Sequence, residues 1–132
     1  MSLYLEDPKP ILYLDDDTAG ATEYFLKFVK KAHLHPVNFS DSACESIQRL
    51  TGVRATCTDI HEYLFKEERR FGVVWLDLMC RTVDHATMSN SLSSCDYLFL
   101  TLSTRGSHPG TVVQDACDLV RRCGGAILER PV

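Results

Sequence analysis

Residues 11–20, ILYLDDDTAG, run apolar for four positions, stop on three consecutive carboxylates and continue into a small-residue turn. Ile11, Leu12, Tyr13 and Leu14 show no apolar/polar alternation, the pattern of a strand covered on both faces of a parallel sheet. Ligands of such sheets bind at the carboxyl ends of the strands, where Asp15, Asp16 and Asp17 stand. Side chains i and i+2 of a strand share a face, so three acids in a row cannot all be buried. A cation, a ligand hydroxyl or water relieves their repulsion. A binding loop and a solvated acidic loop both satisfy these residues. Gly20 allows a tight turn and close ligand approach before a helix begins.

Downstream, Tyr24, Phe25, Phe28, Val29 and Ala32 recur at three- and four-residue steps, predicting an amphipathic helix from Thr22. Pro36 to Phe39 reads as a second strand, with Ser40, Asp41 or Ser42 capping a helix from about Ala43 to Leu50. Val53 to Thr58 alternates with β-branched residues and predicts a third strand with Asp59 at its tip, then a helix over Ile60 to Arg70. Val73 to Leu78 (VVWLDL), with Asp77 near its end, and Tyr97 to Leu102 (YLFLTL) are the fourth and fifth strands. Trp75 in the fourth reads as core. Thr82 to Ser94 is helix-compatible, a helix runs from Thr111 to Cys123, and Ala126 to Leu128 is a short final strand. Asp17 to Asp41 is a step of 24 residues, and Asp41 to Asp59 and Asp59 to Asp77 are 18 each, about one strand plus one helix. Strands alternating with helices predict a three-layer α/β/α sandwich with a doubly wound, mostly parallel sheet.

A chain of 132 residues with 45% hydrophobic and 24% charged content fits a single domain over 1–132, with residues 1–10 a loose polar lead-in. The net charge of −4 argues against nucleic-acid binding through phosphate contacts, which rests on clustered Lys and Arg. The small basic groups Lys27, Lys30 and Lys31, then Lys66, Arg69 and Arg70, then Arg121 and Arg122 read as solvated helix faces. The six cysteines form no CxxC pair and read as buried thiols in a reducing, cytoplasmic setting, with Cys57 and Cys80 in or just after apolar strand runs. The start has no basic-then-apolar leader, and no run approaches a membrane span. The five histidines are scattered without metal-ligand spacing.

The succession of DDDTAG after strand one, Asp41 after strand two, Asp59-Ile60 after strand three and Asp77 after strand four resembles the class I S-adenosylmethionine-dependent methyltransferases over essentially the whole chain. The resemblance implies strand order 3-2-1-4-5, with S-adenosylmethionine as the cofactor and a substrate the residues do not name. By it, Asp16, Asp17 and Gly20 lie under the methionine part, and Asp41 accepts from the ribose hydroxyls. Asp59 and Ile60 flank the adenine, and Asp77 stands near the reacting methyl. A ribose diol suits an anionic acceptor, and an adenine amine suits one acceptor beside an apolar wall. The loop has one glycine where the family is glycine-rich, and Asp77 is followed by Leu78, Met79 and Cys80 rather than a base-clamping motif, so a non-catalytic interaction domain on the same scaffold is a further reading. A missing last hairpin would leave an unpaired sheet edge and invite a homodimer.

ILYLDDD, VVWLDLM and ERPV also resemble response-regulator receiver domains. That resemblance implies magnesium at Asp16 and Asp17, a phosphoacceptor at Asp77, a switch hydroxyl at Thr101 or Ser103, and Arg130 in place of a lysine. It requires Asp77 on the third strand, whereas two strand candidates separate it from Ile11.

Overall fold

The computed structural model describes residues 9–67, 69–78, 83–103 and 108–127. Five strands, β1 (Ile11–Leu14), β2 (Leu34–Asn38), β3 (Thr56–Cys57), β4 (Phe71–Asp77) and β5 (Cys95–Thr101), form one sheet in the order β3-β2-β1-β4-β5. Every pairing is parallel. The predicted order and α/β class are therefore observed, and Asp77 ends the fourth strand in the chain, not the third. Among the described residues Ala126 and Ile127 join no strand, and Leu128 lies outside them.

Alternation along β1 divides the core. Leu12 joins Val37, Ile60, Leu64, Phe71, Val74 and Leu76 on one face of the sheet. Tyr13 joins Val29, Leu34 and Val53 on the other, with Phe25 and Trp75 packed against them. The first face is covered by α3 (Ile60–Lys66) and α4 (His85–Ser94), with α5 (Pro109–Arg122) packed on α4. The second is covered by α1 (Gly20–Phe25) and α2 (Asp41–Thr51), which contact each other. Trp75, read as core, is only part-buried on this second face.

Helix bounds follow from local chemistry. The Ser40 hydroxyl caps α2 by accepting from the Ala43 amide, and Gly52 ends that helix at φ 76°, a left-handed position glycine adopts without penalty. The helix expected from Thr22 to Ala32 is shorter. After Phe25 the Lys27 and Phe28 amides bond three residues back, to Tyr24 and Phe25, so the ladder tightens into a turn and a single 3-10 turn at Lys31–His33 leads into β2. The third helix stops at Lys66, which leaves Arg69 and Arg70 off it. Arg70 is tied to Asp96 at 3.0 Å and to the Ser93 and Cys95 carbonyls instead.

Candidate ligand cleft at the carboxyl edge of the sheet

All five strands point their carboxyl ends the same way, so the acids after β1, β2, β3 and β4 share one edge of the sheet. The three consecutive acids have separate fates. Asp15 is 8% exposed and turns its carboxylate back into the fold. Its Oδ1 accepts from the Asp16 amide at 2.9 Å and the Ala21 amide at 3.3 Å, and its Oδ2 from the Thr22 amide at 2.9 Å and the Thr22 hydroxyl at 2.6 Å. The Thr22 hydroxyl also meets the buried Tyr13 hydroxyl at 2.7 Å. Burial pushes the Tyr13 phenol well above its ordinary range. Two donors in the first turn of α1, the Ala21 and Thr22 amides, are thus filled by the protein's own carboxylate.

Asp16 and Asp17 remain exposed. The Thr18 hydroxyl and amide both donate to Asp16, holding its carboxyl below the usual carboxylate range. The left-handed residue of the turn is Ala19, at φ 57°, not Gly20. A Cβ at Gly20 would meet only the Thr18 hydroxyl, at 3.7 Å, so the backbone there lies open to approach.

Asn38, which the sequence reading passed over, ties three strand tips together. Its Nδ2 donates to the Asp15 carbonyl at 2.8 Å, its Oδ1 accepts from the Ser40 amide at 2.8 Å, and its carbonyl accepts from the Thr58 amide at 3.0 Å. Asp41 is exposed in the first turn of α2, and its Oδ1 takes the Cys57 thiol at 2.9 Å. That hydrogen bond to a carboxylate pushes the exposed Cys57 thiol up to about 12. Cys57 is therefore not the buried thiol the sequence suggested, because its strand is only two residues long and both are exposed. Cys44 and Cys95 are buried as expected, while Cys80 lies outside the described residues. Asp59 caps α3, its Oδ1 accepting from the His61 amide at 2.8 Å and the Glu62 amide at 3.2 Å. Ile60 beside it is 5% exposed in the core, which leaves almost none of its surface for a ligand. Phe39, which the sequence predicts as the end of a strand, lies between β2 and Asp41 and offers apolar surface at this end of the sheet, being 80% exposed.

Asp77 is exposed at the end of β4, next to β1 in the sheet and in register with Thr101 of β5. Two bonds hold these tips together, Leu78 N–H to the Thr101 carbonyl at 2.9 Å and Trp75 Nε1 to the Thr101 hydroxyl at 3.3 Å. Among the described residues no three His, Cys, Asp or Glu side chains come together at metal-binding spacing, so Asp16, Asp17 and Asp77 do not form a ligand set. Arg130 lies outside the described residues. A cavity of about 320 Å³ opens at the same edge of the sheet, between the start of α4, the end of β5 and α5, lined by Val83, His85, Leu102, Asp115, Leu119 and Arg122. None of the residues expected at the site lines it. No helix of the described residues is long and apolar enough to cross a membrane.

No family model matches the chain, and no curated protein matches it by sequence. Solved structures do match its fold. A Thermoplasma acidophilum protein designated 1320 superposes with a TM-score of 0.57 at 12% identity, over 92% of this chain and 62% of its own. The WlbA dehydrogenase of Chromobacterium violaceum, solved with NADH and UDP-GlcNAcA, superposes with a TM-score of 0.53 at 12% identity, over 91% of this chain and 34% of its own. The chain thus spans under two thirds of each neighbour, and at this identity the likeness is one of fold: a Rossmann-like α/β sheet.

Proposed function

We propose that the carboxyl edge of this sheet binds an adenosyl cofactor without a pyrophosphate, S-adenosylmethionine, and that the chain is a methyltransferase-like protein. The observation that carries this reading is the Asp15 carboxylate seated on the Ala21 and Thr22 amides in the first turn of α1. A Rossmann-like sheet that binds a dinucleotide offers those amides to the pyrophosphate. Here they are occupied, and Asp16 and Asp17 add negative charge to the same loop, so a pyrophosphate would meet repulsion where it needs donors. An adenosyl sulfonium brings cationic sulfur and ammonium groups to that loop instead. Its one carboxylate would still be repelled by Asp16 and Asp17, so binding is weak. The NADH held by the neighbouring dehydrogenase is thus a poor fit for this loop.

The remaining residues suit the adenosyl group. Asp41 is an exposed anionic acceptor for the ribose diol. Asp59, held by two amides of α3, is a fixed acceptor for the adenine amine. Phe39 supplies the apolar surface that buried Ile60 cannot. When bound, the cofactor supplies an electrophilic methyl group. Asp77, at the tip of β4 beside β1, is an exposed acid on the methionine side of this edge and would hold a substrate proton there. The test is calorimetry with S-adenosylmethionine and its demethylated product on the wild type and on Asp41→Ala and Asp59→Ala. A hydrogen bond to a charged acceptor is worth about 1.5–3 kcal/mol, so each variant should lose on the order of tenfold or more in affinity for both ligands. Unchanged affinities in both variants would remove the assignment.

A further inference from the structure

The cavity of about 320 Å³ between the start of α4, the end of β5 and α5 is of ligand size, and none of the acids of the adenosyl cleft lines it. One wall is α5. Asp115, Leu119 and Arg122 stand at positions i, i+4 and i+7 of that helix, which share a face, and all three line the cavity together with Ala116. At a rise of about 1.5 Å per residue, the acid and the base lie about 10 Å apart along the helix axis. Ala116 and Leu119 stand between them. Val83, just before α4, and Leu102, just after β5, extend this apolar middle. The Arg122 end is set against α4: the thiol of Cys123, the next residue, reaches the His85 carbonyl at 3.9 Å, so His85 and Arg122 share one end of the cavity.

Neither charge of this face is neutralised within the protein. Asp118, on the same helix, takes Gln114 at 2.8 Å and Arg121 at 3.6 Å. Among the described residues Asp115 and Arg122 form no ion pair. They do not serve each other either, since opposite charges on a helix meet at three or four residues and these are seven apart.

We propose that this cavity binds an elongated amphoteric small molecule, with its carboxylate on Arg122 beside His85, its ammonium on Asp115, and a hydrocarbon spacer on the apolar middle. A guanidinium takes a carboxylate through two parallel N–H donors, and the Asp115 carboxylate accepts from an ammonium. At interior packing density the volume holds on the order of a dozen heavy atoms, the size of two charged ends joined by a chain of about eight carbons. An α-amino acid carries both charges on one carbon and leaves one end of the cavity unmatched. The proposal does not rest on the adenosyl reading, because it uses none of Asp16, Asp17, Asp41, Asp59 or Asp77.

The test is titration of the full chain with 8-aminooctanoate and with its isomer 2-aminooctanoate, read by calorimetry and by methyl NMR shifts. The first should bind saturably at millimolar concentration and move the Val83, Leu102 and Leu119 methyl signals. The isomer has the same atoms with its charges together, and should bind at least on the order of tenfold more weakly. Arg122→Gln and Asp115→Asn, both exposed positions checked for folding by circular dichroism, should each weaken 8-aminooctanoate on the order of tenfold. No saturable binding of 8-aminooctanoate overturns the proposal, and so does equal affinity for the two isomers, a comparison that needs no variant. Affinity that survives both substitutions, or methyl shifts confined to residues away from the cavity, overturns it as well.

Discussion

Replacing Asp15 by alanine should be among the most damaging single changes in this chain, although the residue sits in an acidic loop that looks solvated. Its carboxylate takes the Asp16, Ala21 and Thr22 amides and the Thr22 hydroxyl. The Asp16 and Ala21 amides can turn to water, and the Thr22 hydroxyl keeps Tyr13 as a partner at 2.7 Å. The Thr22 amide cannot, since Thr22 is fully buried. An orphaned buried donor costs about 1–3 kcal/mol and a lost helix cap about 1, so Asp15→Ala should cost about 3 kcal/mol. That is a large part of the roughly 5–15 kcal/mol that holds a typical domain. With a urea m-value of about 1.5–2 kcal/mol/M, the midpoint should fall by about 1.5–2 M. Asp15→Asn keeps one acceptor oxygen and should lose about half as much. The assay is urea unfolding followed by Trp75 fluorescence and far-UV circular dichroism. A midpoint within about 0.3 M of wild type for Asp15→Ala would show that the carboxylate does not bear on α1 as described.

Tyr13→Phe should cost about 1 kcal/mol at neutral pH by removing the bond to Thr22. Burial raises the folded-state pKa of Tyr13, so its contribution is complete below the ordinary phenol range near 10 and is lost as pH rises through the folded value. Wild type should therefore destabilise above about pH 10, and Tyr13→Phe should show a shallower alkaline slope in thermal melts. Gly52→Ala places a Cβ at φ 76° and 2.7 Å from Lys31 Nζ. The lysine can swing away but the backbone cannot, so the loss should be about 1 kcal/mol by chemical denaturation. Asp41→Ala removes the acceptor that holds the Cys57 proton, so alkylation of Cys57 at pH 8, mapped by peptide mass spectrometry, should accelerate at least on the order of tenfold. An unchanged rate would show that the Asp41 contact does not control the thiol.

The strand cores were legible because an apolar run without alternation has few other uses: ILYL, VVWLDL and YLFLTL each mark a strand of the sheet. Their ends were not, because pairing carries β2 back to Leu34, β4 back to Phe71 and β5 back to Cys95 across residues with weak strand signals such as His35, Gly72 and Asp96. VRATCT alternates well, yet only Thr56 and Cys57 pair, with Val37 and Asn38 of β2. At the candidate site, the positions of Asp41, Asp59 and Asp77 at strand tips could be read from spacing. The division of labour among Asp15, Asp16 and Asp17 could not. Asp15 caps a helix through residues six and seven positions on, a reach that no short capping motif encodes. Asn38 and Phe39 were missed for a related reason: a strand-end amide and a strand-end aromatic look like continuation of the strand until the sheet shows where β2 stops.

The measurement that bears most directly on the cleft is a paired calorimetric titration of the full chain with S-adenosylmethionine and with NADH under one set of conditions. With the α1 amides occupied by Asp15 and two further acids beside them, S-adenosylmethionine should bind saturably and weakly while NADH gives no saturable heat. NADH binding as tightly as S-adenosylmethionine, or no heat with S-adenosylmethionine at millimolar concentration, would contradict the account.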